Sequence, residues 1–105
     1  MFHKKKKDDY EINKKEFDEI KNDALLIDVR DPAEFQALQK IPNAINVPYR
    51  QLIAEPAKFI PSKKTTVVTM CNAGHRSTAA TQFLREQGYT NSYVLTMGIY
   101  DYYRK

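Results

Sequence analysis

The chain has 105 residues with a single cysteine, which excludes an internal disulfide and a cysteine-based zinc cluster. Hydrophobic residues make up 42% and charged residues 29%, a balance that is typical of one folded domain and too apolar for a disordered chain. The net charge of +4 is accounted for by residues 4–7 (KKKK), because the other 13 basic residues balance the 13 acidic ones.

The concentration of basic residues at the start predicts a tail rather than a binding surface. We expect residues 1–9 to form a disordered basic tail, and residues 10–105 to form one domain that binds no nucleic acid. No apolar stretch approaches the roughly 20 residues that a membrane span requires, and no apolar segment typical of a secretion signal follows the lysines. These features favour a cytoplasmic location without a membrane span.

Short apolar runs alternate with segments of helical periodicity along the rest of the chain. The predicted strands are residues 10–12, 24–29, 44–47, 65–70 and 92–95. The predicted helices are residues 13–22, 31–38, 49–53 and 77–87 and a segment that begins at residue 98, whereas residues 56–61 are expected to form a loop. This order predicts an α/β fold with a central parallel five-stranded sheet and helices on both faces. In such folds ligands bind beyond the carboxyl ends of the strands.

The only cysteine follows the strand that is richest in β-branched residues, where the next helix begins. Cys71 there faces N–H groups without helical partners and the positive end of the helix dipole, and Arg76 adds a permanent positive charge. Both effects favour the thiolate over the thiol. Gly74 permits a positive φ, so the loop can curl and point several N–H groups inward. Such a loop binds a thiolate, a persulfide or an oxyanion, although a lone cysteine in this position can also be only structural.

Several motifs, in the same order along the chain, resemble the rhodanese family of sulfurtransferase domains. They are residues 26–35 (LIDVRDPAEF), 41–48 (IPNAINVP), 71–77 (CNAGHRS), 88–89 (GY) and 98–99 (GI). The sequence departs from the family pattern at Asn43 and Met97, where glycine is usual, at residues 39–40, where Gly-His is common, and at Tyr102, where tryptophan is usual. These departures concern local loop shape and leave the residues that would carry sulfur unchanged.

The resemblance implies a rhodanese-like fold and a sulfurtransferase that moves sulfane sulfur from thiosulfate or a persulfide to cyanide or a thiol. Cys71 would be the catalytic nucleophile and would carry the sulfur as a persulfide. The residues expected to bind substrate are Asn72, Ala73, Gly74, His75, Arg76 and Ser77. Asp28 and Arg30 are expected to be structural, in a polar network at a strand end. No metal and no organic cofactor is expected, and a partner protein in a sulfur relay is compatible with the same loop.

Two other classes of function stay open at the level of the sequence. A Cys-dependent phosphatase or arsenate reductase is disfavoured, because phosphatases of this kind use Cys-x5-Arg, whereas four residues separate Cys71 from Arg76. A non-catalytic binding or regulatory module is disfavoured because such modules usually lack the cysteine. Within the loop, His75 is expected to point outward, and Ser77 and Thr78 are expected to cap the following helix rather than to catalyse.

Overall fold

The computed structural model describes residues 9–104, so the predicted basic tail lies, except for Asp9, outside the described residues. Strands and short helices follow one another along this range. They are β1 (Glu11–Ile12), α1 (Lys14–Ile20), β2 (Leu25–Asp28), α2 (Pro32–Ala37), β3 (Ile45–Asn46), α3 (Tyr49–Ala54), α4 (Pro56–Phe59), β4 (Val67–Met70), α5 (His75–Glu86), β5 (Ser92–Leu95) and α6 (Gly98–Tyr102).

The strands form one parallel sheet in the order β1-β5-β4-β2-β3. β2 and β4 run side by side from the pair Leu25–Val67 to the pair Asp28–Met70. Because all pairings are parallel, the carboxyl ends of β2, β4 and β5 meet at one edge of the sheet. The predicted five-stranded parallel sheet is therefore confirmed, and the segment that follows β4 lies at the edge where ligands bind in such folds.

A separate apolar core covers each face of the sheet, because successive side chains of a strand point to opposite faces. On one face, Leu26 and Val68 of the strands pack in a cluster with Phe17 of α1 and Ile99 of α6. The opposite cluster contains Ile27, Val67, Leu52 of α3, Ile60, and Ala80 and Leu84 of α5. Helices thus cover both faces of the sheet, as the alternation of elements predicts.

The first two helices begin at the residues that carry the expected start signals. The Asn13 side chain accepts a hydrogen bond from the backbone N–H of Glu16, whose carboxylate accepts one from the N–H of Asn13. At the start of α2, the Glu34 carboxylate accepts a hydrogen bond from the N–H of Asp31, and Pro32 occupies the first turn.

Two details of the sequence-based prediction are wrong. Residues 56–61 are not simply a loop, because Pro56 starts the one-turn helix α4, and Ile60 after it enters the core. The helix after β4 begins at His75, two residues before the predicted start. Its N-cap is Gly74, whereas Ser77 and Thr78 lie inside the helix, so neither provides the predicted cap.

Left-handed backbone occurs at two positions where glycine is usual in the family that the motifs resemble. Asn43 has φ of 69° and Met97 has φ of 67°. Asparagine tolerates this region, whereas methionine carries a steric cost of about 1 kcal/mol or more. Both loops therefore adopt left-handed backbone without a glycine at these positions.

Candidate active site

Cys71 lies directly after β4, and its side chain is almost completely buried, with 2% of the residue exposed. Two groups contact its sulfur. The backbone N–H of Gly74 donates to Sγ over 3.2 Å, and the hydroxyl of Ser77 lies 3.3 Å from Sγ. Both contacts come from the start of α5, so the sulfur faces the amino end of that helix. This is the end at which a negative charge on sulfur is stabilised.

Gly74 makes the turn that brings the helix start back toward the sulfur. Its φ is 97°, in the left-handed region that glycine adopts without steric cost. The N–H groups of the first turn of α5 have no acceptor within the helix, because no preceding turn supplies one. The loop therefore offers hydrogen-bond donors around Cys71, which is the arrangement that an anionic sulfur group requires.

The opposite side of the loop is fastened to the start of α6. The N–H of Ile99 donates to the carbonyl of Cys71 over 2.9 Å, and the N–H of Tyr100 donates to the carbonyl of Asn72 over 3.2 Å. Gly98 directly precedes Ile99, and a Cβ built on Gly98 would be 2.6 Å from the Cys71 carbonyl oxygen and closer still to that of Asn72. Only glycine allows α6 to approach the loop this closely.

Arg76 forms a two-point ion pair with Glu34 of α2. Its two terminal nitrogens lie 2.7 Å and 3.1 Å from the two carboxylate oxygens. Hydrogen bonding to Arg76 is the main reason why the pKa of Glu34 is lowered to about 2, and the same bond is the main reason why the pKa of Arg76 is raised. A negative charge on the Cys71 sulfur adds a smaller contribution to the raised pKa of Arg76.

Asn72 connects this pair to a buried one. Its amide nitrogen donates to Glu34 over 3.2 Å, and its amide oxygen accepts from Arg30 over 2.8 Å. Arg30 and Asp28 are both fully buried and joined by hydrogen bonds of 2.7–3.0 Å. The amide of Asn46 donates to the backbone carbonyls of both residues. These bonds describe a polar network at the end of β2 that reaches the loop.

The remaining loop residues fall into two groups. Ala73 and His75 are exposed, whereas Ser77 is fully buried, with its carbonyl accepting a hydrogen bond from the Thr69 hydroxyl. The structure therefore brings Gly74 and Ser77 together around the sulfur, whereas the guanidinium of Arg76 binds Glu34. Ala73 and His75 lie at the surface beside the sulfur.

Sequence reasoning missed Glu34, Asn46 and Gly98 as parts of the site. The capping position of Glu34 was visible in the sequence, but its pairing with Arg76 joins residues 42 apart and has no local signal. Gly98 belongs to a motif that the sequence does carry, and its contact with the loop explains why glycine stands there.

Neither a metal centre nor a membrane span is found in residues 9–104. In that range no group of three or more histidine, cysteine, aspartate or glutamate side chains is arranged to hold a metal ion. No helix there is long and apolar enough to cross a membrane.

A parallel sheet with a cysteine loop between its central strand and a helix start defines the class of the protein: an α/β domain with a buried free cysteine at the carboxyl end of its sheet. Residues 12–105 match the family model described as the rhodanese-like domain. The chain therefore belongs to the rhodanese-like domain family, which confirms the resemblance of its motifs.

Three relatives illustrate this membership. The thiosulfate sulfurtransferase PspE of Escherichia coli (strain K12) is 40% identical over 65 residues, which cover 62% of this chain and 62% of that protein, less than two thirds of its length. A sulfurtransferase of Allochromatium vinosum is 42% identical over 77 residues, covering 73% of this chain and 69% of the relative. The solved structure of the human single-domain sulfurtransferase TSTD1 superposes with a TM-score of 0.74 at 29% identity, covering 84% of this chain and 89% of that one.

Replacing Gly98 by alanine should displace the loop from α6. We expect Gly98→Ala to lower the free energy of unfolding by about 1–3 kcal/mol more than Gly88→Ala does, because only the first variant adds a clash with the loop backbone. Gly88 is a matched control, since it also has a positive φ, of 96°, but faces only the side chain of Lys63. Urea unfolding of both variants measures the difference in the free energy of unfolding. Equal losses of stability would contradict the close contact between Gly98 and the loop.

Lowering the pH should reduce the free energy of unfolding by protonating Glu34. Its pKa falls from the ordinary 4.5 to about 2 on folding, so the ion pair contributes stability above pH 4.5 that is lost as the pH falls toward 2. The pair is partly exposed, which limits the expected loss to about 1 kcal/mol. Urea unfolding at pH 6 and pH 3 should show a larger loss for the wild type than for Glu34→Gln. The same loss in both proteins would assign the acid sensitivity to other groups.

Proposed function

We propose that this domain is a sulfurtransferase that carries sulfane sulfur as a persulfide on Cys71. The single observation that carries the proposal is the position of the Cys71 sulfur at the start of α5, where the N–H of Gly74 donates to it. The other N–H groups of the first turn of α5 also lack acceptors within the helix and are exposed at its amino end. Two relatives of this chain, a thiosulfate sulfurtransferase and a sulfurtransferase, support the same chemistry.

In the first half-reaction the Cys71 thiolate attacks the outer sulfur of a donor such as thiosulfate. The new bond joins the Cys71 sulfur to that outer sulfur, the bond between the two donor sulfurs breaks, and sulfite leaves with the electron pair. The charge of the resulting persulfide lies among the loop N–H groups, as in other anion-binding backbone turns. Arg76, whose two terminal nitrogens are paired with Glu34, would bind an anionic donor only after that pair opens.

In the second half-reaction an acceptor takes the outer sulfur. Cyanide or a thiolate attacks this sulfur, the persulfide bond breaks, and Cys71 returns as a thiolate. These 105 residues contain no second cysteine, so the acceptor comes from outside the domain. The two half-reactions therefore predict ping-pong kinetics. A protein acceptor in a sulfur relay would use the same chemistry.

The direct test is the intact mass of the protein after incubation with thiosulfate. We expect a gain of one sulfur atom that cyanide removes, and no gain in Cys71→Ala. No adduct with thiosulfate, polysulfide or glutathione persulfide would overturn the proposal and favour a non-catalytic module. Cys71-dependent hydrolysis of an aryl phosphate would favour a phosphatase instead.

The hydroxyl of Ser77 should assist sulfur uptake. It lies 3.3 Å from the Cys71 sulfur and can donate a hydrogen bond to the thiolate. Since a hydrogen bond to a charged group contributes about 1.5 kcal/mol or more, Ser77→Ala should slow formation of the persulfide about tenfold. Ser92→Ala is the matched control, because Ser92 is equally buried but lies on β5. Equal rates in the two variants would show that the hydroxyl has no such role.

A further inference from the structure

We propose that Glu34 determines which sulfur donors this domain accepts, by discriminating against doubly charged anions such as thiosulfate in favour of persulfides of lower net charge. The inference rests on the proposed sulfurtransferase function and specifies its donor class. The cation of the active-site loop, Arg76, contacts the carboxylate of Glu34 on a different helix.

The Glu34 carboxylate binds the two terminal nitrogens of Arg76 that would otherwise bind an anionic donor. Both terminal nitrogens of the guanidinium donate to Glu34, at 2.7 Å and 3.1 Å, one to each carboxylate oxygen. This two-point geometry is the one in which arginine also holds oxyanions. A donor that uses Arg76 must therefore displace the carboxylate or share the guanidinium with it. Together the two side chains present no net charge to an approaching donor.

The carboxylate is anchored independently of Arg76. One of its oxygens accepts a hydrogen bond from the N–H of Asp31 over 3.0 Å, and the other accepts one from the amide of Asn72 over 3.2 Å. If Arg76 turns toward a donor, these two bonds keep the negative charge of Glu34 beside the loop. A dianion held at Cys71 would thus be repelled more strongly than a monoanion.

The ion pair between Arg76 and Glu34 can open, and the Glu34 carboxylate stays negatively charged at the pH of the reaction. The side chains of Arg76 and Glu34 are 37% and 30% exposed, and ion pairs of this exposure contribute little to stability. The pKa of Glu34, at about 2, keeps the carboxylate ionised at neutral pH. The neighbouring pair of Asp28 and Arg30 differs, because both side chains are fully buried and therefore fixed.

The test compares thiosulfate with cysteine persulfide as donors in single-turnover formation of the Cys71 persulfide, followed by intact mass. Cysteine persulfide donates its outer sulfur to the Cys71 thiolate and leaves as cysteine thiolate, so both donors give the same product. We expect Glu34→Gln to raise the ratio of the second-order rate constants, thiosulfate over cysteine persulfide, about fivefold, the size expected for one partly exposed charge pair. The amide oxygen of glutamine can still accept from Asp31.

Salt and two further variants separate charge from structure. The increase in the ratio of rate constants that Glu34→Gln causes should be smaller in 1 M salt, where charges are screened within about 3 Å. Glu34→Asp keeps the charge and should leave the ratio near that of the wild type. Glu86→Gln removes the same charge at the far end of α5, which helix geometry places about 17 Å from the start of that helix. This variant should also leave the ratio of rate constants unchanged.

Three results would overturn the inference. An equal rise in Glu86→Gln would assign the effect to net charge alone. Equal slowing of both donors in Glu34→Gln would make Glu34 only a structural support of the loop. An unchanged ratio in a Glu34→Gln protein that still takes up sulfur would refute the donor discrimination and leave the proposed function intact. If the wild type gained sulfur from neither donor, the proposed function itself would fail.

Discussion

The buried ion pair at the end of β2 is the constraint on which the arrangement of the site depends. Arg30 and Asp28 have no exposed surface, and leaving either charge unpaired there would cost about 3–5 kcal/mol. The guanidinium therefore needs an acceptor on every side. It finds them in the Asp28 carboxylate, the carbonyl of Gln39 and the amide oxygen of Asn72. One cation thereby positions β2, the segment after α2 and the active-site loop relative to one another.

From that fixed point the polar network becomes progressively more exposed toward Arg76. Asn72 forms hydrogen bonds with both Arg30 and Glu34, and Glu34 in turn binds Arg76, which is partly exposed. The buried end is rigid because its charges cannot reach water. The exposed end can rearrange because water replaces its partners at little cost. The loop is therefore held in place at Asn72, whereas Arg76, the cation that we propose meets a donor, stays adjustable.

Much of the fold was predictable because its signals are local. The strand after Pro61 is β-branched, Asn13 and Asp31 start helices, and Gly74 supplies a positive φ at the loop. The helix α4 was not predicted, because a single turn that starts at Pro56 lacks the repeating apolar pattern of a longer helix. The pairing of Glu34 with Arg76 was not predictable either, since it depends on how α2 and α5 converge at the sheet edge.

The sequence by itself determined the order of the elements, the family and the place of Cys71 between a strand and a helix. Those properties follow from residue periodicity, β-branching, glycine positions and motif order, which are features of neighbouring residues. Tertiary structure alone decided what holds the loop and its cation: the approach of α6 that requires Gly98, and the carboxylate that neutralises Arg76. These contacts join segments that are distant in the chain, so they exist only once the parallel strands are paired and their carboxyl ends meet.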